Sequence, residues 1–150
     1  MTETPQEYGP LGPGATPVKD PLKALSGVLA GTLVLESITI FLALTVILQI
    51  DSGRYWTPLN WGTVVALGAA HFLLAFVQRR PWGLKAVMVL QVISFIAGFF
   101  VHWSLMFIVG MFIMVWWSVL TLRTDIAERM KRGMLVTQHL GTGEPSDDDK

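Results

Sequence analysis

The sequence predicts an all-α integral membrane protein, an antiparallel four-helix bundle with disordered N- and C-terminal tails. Three observations predict it. Hydrophobic residues make up 52% of the 150 residues and charged residues only 15%, against about 25% charged in a soluble domain. The apolar residues gather into four runs, about 25–50, 61–77, 83–101 and 104–122. Each is close to the ~20 residues a helix needs to cross ~30 Å of hydrocarbon. The runs are continuous rather than alternating, which argues against barrel strands. Mean hydropathy is +0.53.

Residues 1–21 hold five of the eight prolines and three glycines, so they read as a disordered tail. The membrane domain follows as residues 22–133. Its first run is longer than a bilayer requires and should tilt or begin among the headgroups. A polar loop from Asp51 to Asn60 leads to the second run, which is short and bounded by Trp61 and Gln78. Gln78 to Trp82 is a tight basic turn, with Pro81 suited to the first positions of the third helix. The third and fourth runs are separated by a residue or two around His102 and should form an antiparallel hairpin. Beyond Leu122, Asp125 with Arg129 and Glu128 with Arg132 have i,i+4 spacing. The fourth helix should therefore continue past the membrane to a stop at Gly133. Residues 134–150 read as a disordered acidic tail.

Lysine and arginine placement predicts the orientation. Lys19, Lys23, Arg79, Arg80, Lys85, Arg123, Arg129, Lys131 and Arg132 fall on one side of the spans, and Arg54 alone falls on the other. Positive charge is retained on the cytoplasmic side, so both termini and the Arg79-Arg80 turn should be cytoplasmic. The expected location is the cytoplasmic membrane. Arg79, Arg80 and Trp82 are expected to anchor at the anionic inner leaflet.

Glu36 lies in the middle of the first run. A carboxylate there costs about 2.5 kcal/mol or more on insertion scales, so it needs a partner, a proton or a task. At ~1.5 Å per residue, Glu36 lies ~15 Å from the cytoplasmic end of its helix, His71 roughly 10 Å and Gln91 about 12 Å. These three polar residues should form one layer. On the second helix Gly68, His71, Ala75 and Gln78 share a face, and on the third Gln91 aligns with Ser94 and Gly98. One reading is a proton site with Glu36 exchanging and His71 tuning it. The other is a hydrogen-bonded layer that fixes helix register. Gly27 and Gly31 form a GxxxG on the opposite side of the first helix, a face for close packing against a membrane-protein partner or a second copy. Met106, Gly110, Met114 and Trp117 align along the fourth helix as an expected packing face.

Zero net charge gives no argument for nucleic acid. The absence of cysteine removes disulfides and thiolate sites. No metal motif, phosphate loop, paired haem histidines or Ser–His–acid set is present, so neither an enzyme nor a bound cofactor is expected.

Three stretches carry a family resemblance. They are Leu25 to Glu36 (LSGVLAGTLVLE), Gln78 to Trp82 (QRRPW) and Ile126 to Arg129 (IAER). With them the chain resembles, over about residues 22–132, the actinobacterial four-helix membrane family known as domain of unknown function 4233. The resemblance implies a small inner-membrane protein of unassigned activity. It places weight on Glu36, Arg79, Arg80, Pro81, Trp82 and Gln91, and not on His71. Small multidrug transporters share four short helices and a glutamate in the first, but their local motif is not matched by Leu35-Glu36-Ser37-Ile38. The functional expectation is an accessory or assembly component of the cytoplasmic membrane. The alternative is a small proton-coupled transporter using Glu36.

Overall fold

The computed structural model describes residues 8–14, 17 and 19–139. Most of the sequence assigned to disordered tails, residues 1–7, 15, 16, 18 and 140–150, lies outside the described residues. Four long helices account for the fold: α1 (Pro21–Gln49), α2 (Pro58–Val77), α3 (Gly83–Val101) and α4 (Trp103–Lys131). All four are long and apolar enough to cross a membrane. The chain divides into two compact units, one of residues 26–119 and one formed by the terminal pieces before and after it.

α1 and α2 begin three or four residues before their hydropathy runs because capping chemistry sets their ends, whereas α3 begins with its run at Gly83. The Asp20 carboxylate accepts the Leu22 N–H at 2.9 Å, and Pro21 occupies the first helical position, where no N–H is needed. Thr57 accepts the Asn60 N–H at 3.2 Å and Pro58 opens α2. His102, isolated in the sequence, caps α4 by accepting the Ser104 N–H on Nδ1 at 3.1 Å. Pro81 does not open α3. It lies in the turn, and the helix starts two residues later at Gly83, where an added Cβ would meet the Gln78 backbone at 2.5 Å. Only glycine lets the turn close so tightly.

Within the unit of residues 26–119 the usual burial pattern is inverted. Glu36, Ser37, His71, Gln91 and Ser94 are buried, while Phe76, Phe100, Leu35 and Trp117 are exposed. That is the arrangement expected when the surrounding medium is hydrocarbon. The outward hydroxyls follow the same rule. Thr32, Thr39, Thr63 and Ser118 each donate to the carbonyl four residues back, and none needs water.

Two contacts set the register of α1 against α2. Gln78 Nε2 donates to the Ser26 carbonyl at 2.8 Å, and Ser37 Oγ donates to the Gly68 carbonyl at 2.7 Å. The two helices therefore run antiparallel. The Phe41 ring covers Gly68, leaving 2.9 Å where a Cβ would stand. At Gly98 the backbone of Met106 comes within 2.6 Å of that position, so α3 and α4 are in close contact just before the His102 turn. Two apolar clusters fill the bundle. One gathers Ile40, Ala43, Ile47, Val64, Val101, Leu105 and Val109. The other gathers Leu29, Leu33, Leu74, Ala75, Val87 and Trp116.

In the terminal unit, α4 ends in a Schellman turn. Gly133 has φ +66, its N–H reaches the Met130 carbonyl at 3.2 Å, and the Met134 N–H reaches Arg129 at 2.9 Å. The Gly9 N–H donates to the Arg132 carbonyl at 2.9 Å. Gly12 and Gly14 lie so close to Gly133 that no Cβ fits there. Arg129 pairs with Asp125 at 3.0 Å. Among the described residues Glu128 and Arg132 make no such pair, because Arg132 lies past the helix end.

Candidate functional site

The polar layer joins all four helices at one carboxyl group. Glu36, fully buried on α1, lies between the two apolar clusters. Gln91 of α3 directs Nε2 at both carboxyl oxygens, 2.6 Å from each. Trp116 of α4 donates its indole N–H to Oε2 at 3.0 Å. His71 of α2 places Nε2 3.5 Å from Oε1. In a medium that cannot supply a hydrogen bond, each donor removed from the carboxyl leaves a cost that nothing nearby repays.

The helix faces explain why these residues meet. On α1 the buried positions Leu29, Leu33, Glu36, Ile40, Ala43 and Ile47 follow the three-and-four spacing of one face. On α2 the buried positions Val64, Gly68, His71 and Ala75 do the same, and on α3 Val87, Gln91, Ser94 and Gly98. Ser37 binds α1 to α2 one residue beyond Glu36. His71 Nε2, Gln91 Oε1 and Ser94 Oγ are buried without a hydrogen-bond partner, so the layer keeps spare bonding capacity beside the carboxyl.

Glu36, His71 and Gln91, grouped by depth, are thus neighbours in space. Gly27 and Gly31 are exposed, and among the described residues nothing lies within 4 Å of where a Cβ would stand at either. Arg79, Arg80 and Trp82 are exposed in the turn between α2 and α3.

The fourth helix differs from its expected face. Met114 and Trp117 are 69% and 74% exposed, whereas Leu105, Val109 and Trp116 are buried. The inward face therefore includes Trp116, and Trp117 points away from it. The span is apolar on every side, so periodicity carries no information about its facing. A buried carboxyl needs donors, but Trp116 and Trp117 both offer an indole N–H, so that requirement does not choose between the two faces.

Among the described residues no group of three or more His, Cys, Asp or Glu is placed to hold a metal ion. An open apolar groove of about 730 Å³ runs between α2 and α3, lined by Leu73, Phe76, Val77, Val89, Leu90 and Ile93 among others. Glu36 is not part of its lining. No curated protein and no solved structure matches the chain. Four membrane-spanning helices around one buried carboxyl make this a multi-pass membrane protein, and its match over residues 26–132 shows that it belongs to the family described as protein of unknown function (DUF4233).

Proposed function

We propose that this protein is an accessory or assembly component of the cytoplasmic membrane, with both termini cytoplasmic, in which Glu36 clasps the four helices together. The observation that carries the reading is the enclosure of the carboxyl group. It has no exposed surface, apolar clusters lie on both sides of it, and its hydrogen bonds come from two other helices. A coupling carboxyl needs a route for its ion, whereas a clasp needs the reverse. The open face at Gly27 and Gly31 is the surface offered to a partner helix, because small residues let backbones approach without a hydrophobic drive. Arg79, Arg80 and Trp82 hold the α2–α3 turn at anionic headgroups.

The test is capture in gentle detergent followed by mass spectrometry. The reading expects a stoichiometric membrane-protein partner that is retained by Glu36→Gln and lost from Gly31→Leu. A chain purified alone whose Glu36→Gln variant loses a proton-driven flux would overturn it in favour of a transporter. The contact between His71 and Glu36 is the observation that keeps that second reading specific.

A further inference from the structure

The clasp contains two ionisable groups facing each other, and the geometry limits how many protons they share. His71 Nδ1 lies 2.8 Å from the Leu67 carbonyl. A carbonyl oxygen only accepts, so Nδ1 carries a hydrogen. The other ring nitrogen, Nε2, is buried, lacks a hydrogen-bond partner and faces Glu36 Oε1 at 3.5 Å. With no proton between them, an imidazole lone pair would face a carboxylate oxygen, and the span would hold an uncompensated negative charge. With two, a neutral carboxyl would face an imidazolium, and the span would hold an uncompensated positive charge. A single proton gives a neutral layer in both of its placements, on Oε1 or on Nε2.

The remaining neighbours do not alter the count. Gln91 and Ser94 from α3, Trp116 from α4 and Ser37 from α1 are polar without being ionisable in the accessible range. Every other ionisable residue of the unit 26–119 (Asp51, Arg54, Tyr55, Arg79, Arg80, Lys85 and His102) belongs to a connection or a helix end.

We infer that Glu36 and His71 together form a one-proton binding site, in which a single proton between Oε1 and Nε2 joins α1 to α2 at mid-span. The inference rests on the clasp reading for its setting, and it adds that the clasp holds one proton. The Ser37–Gly68 bond beside it needs no titratable group, whereas the Glu36–His71 approach brings two together. Loss of that proton would leave a carboxylate facing a lone pair and would loosen α1 from α2 at this level.

The experiment is nitrogen-15 magnetic resonance of histidine-labelled full-length protein in lipid nanodiscs, with His71 assigned by its loss in His71→Gln. Infrared difference spectra against Glu36→Gln report the Glu36 carboxyl. The expected result is Nδ1 protonated, combined with either a protonated carboxyl and neutral imidazole or a carboxylate and imidazolium. A neutral ring carrying its hydrogen on Nε2 would overturn the site. So would a carboxylate beside a neutral ring, or a protonated carboxyl beside an imidazolium. If Glu36→Gln does not insert, carbon-13 carboxyl labelling of the native chain gives the same carboxyl reading. Stability data on Glu36→Gln bear on the clasp, and the tautomer bears on the proton, so the two claims fail separately.

Discussion

Trp116 and Trp117 are adjacent residues with opposite surroundings, which makes Trp116→Phe a controlled perturbation. The change removes the indole N–H that donates to Glu36 Oε2 at 3.0 Å and leaves that oxygen with Gln91 alone. A hydrogen bond to a charged group contributes ~1.5–3 kcal/mol in water-soluble proteins. Interhelical bonds in membranes average about 0.6 and reach about 1.7 kcal/mol, because the unfolded helices also find partners. Trp116 is fully buried, so the smaller ring adds a packing loss. Together these give about 2 kcal/mol, or roughly a 30-fold fall in the folded-to-unfolded ratio. Trp117→Phe, on a side chain 74% exposed and remote from the Glu36 carboxyl, should cost clearly less than Trp116→Phe. Reversible unfolding in mixed micelles, followed by helicity and by cross-linking of α1 to α4, measures both. Two variants within ~0.5 kcal/mol of each other would show that the indole bond does not hold the bundle, and the four-helix clasp would have to be given up.

The glycines give a second contrast: Gly98→Ala places a methyl against the Met106 backbone at 2.6 Å and should cost ~1–3 kcal/mol, whereas Gly31→Ala meets nothing within 4 Å and should stabilise the isolated chain slightly. Equal effects in the same unfolding assay would contradict the α3–α4 approach. Replacing both Arg79 and Arg80 by alanine should leave unfolding unchanged and reduce co-purified anionic lipid, read by lipid mass spectrometry; unchanged lipid would remove the anchoring role. A cysteine at Ser52 should label from outside intact cells and one at Arg79 should not, with the reverse pattern overturning the proposed orientation.

The parts of the fold that were legible in the sequence are those the bilayer constrains most. Four apolar runs in a chain with few charges leave little freedom of architecture. Glu36 was conspicuous because a carboxyl is rare in such a run, and counting residues from the helix ends brought His71 and Gln91 to its depth. Gln91 proved to be a direct donor and His71 a neighbour across 3.5 Å. Trp116 was hidden by the uniform hydrophobicity of α4. Met114 and Trp117 aligned in sequence with nothing polar to say which side faced inward, and they face outward. Helix starts were displaced toward the caps because hydropathy does not register Asp20 or Thr57. The close passage of Gly9 to Gly14 by the end of α4 had no periodic signal at all, because contacts between distant glycine-rich loops leave none.

The clasp is tested most directly by comparing the unfolding free energies of the native chain, Glu36→Gln and Glu36→Leu under identical micelle conditions. Glutamine keeps an acceptor for Gln91 and Trp116 and can donate its amide to His71 Nε2. The account therefore predicts a loss within about 1 kcal/mol and normal insertion. Leucine strands the Gln91 amide and the Trp116 N–H in a buried layer, and should cost several times as much, about 3 kcal/mol or more. A Glu36→Leu chain as stable as the native one would contradict the clasp, as would a Glu36→Gln chain as damaged as Glu36→Leu.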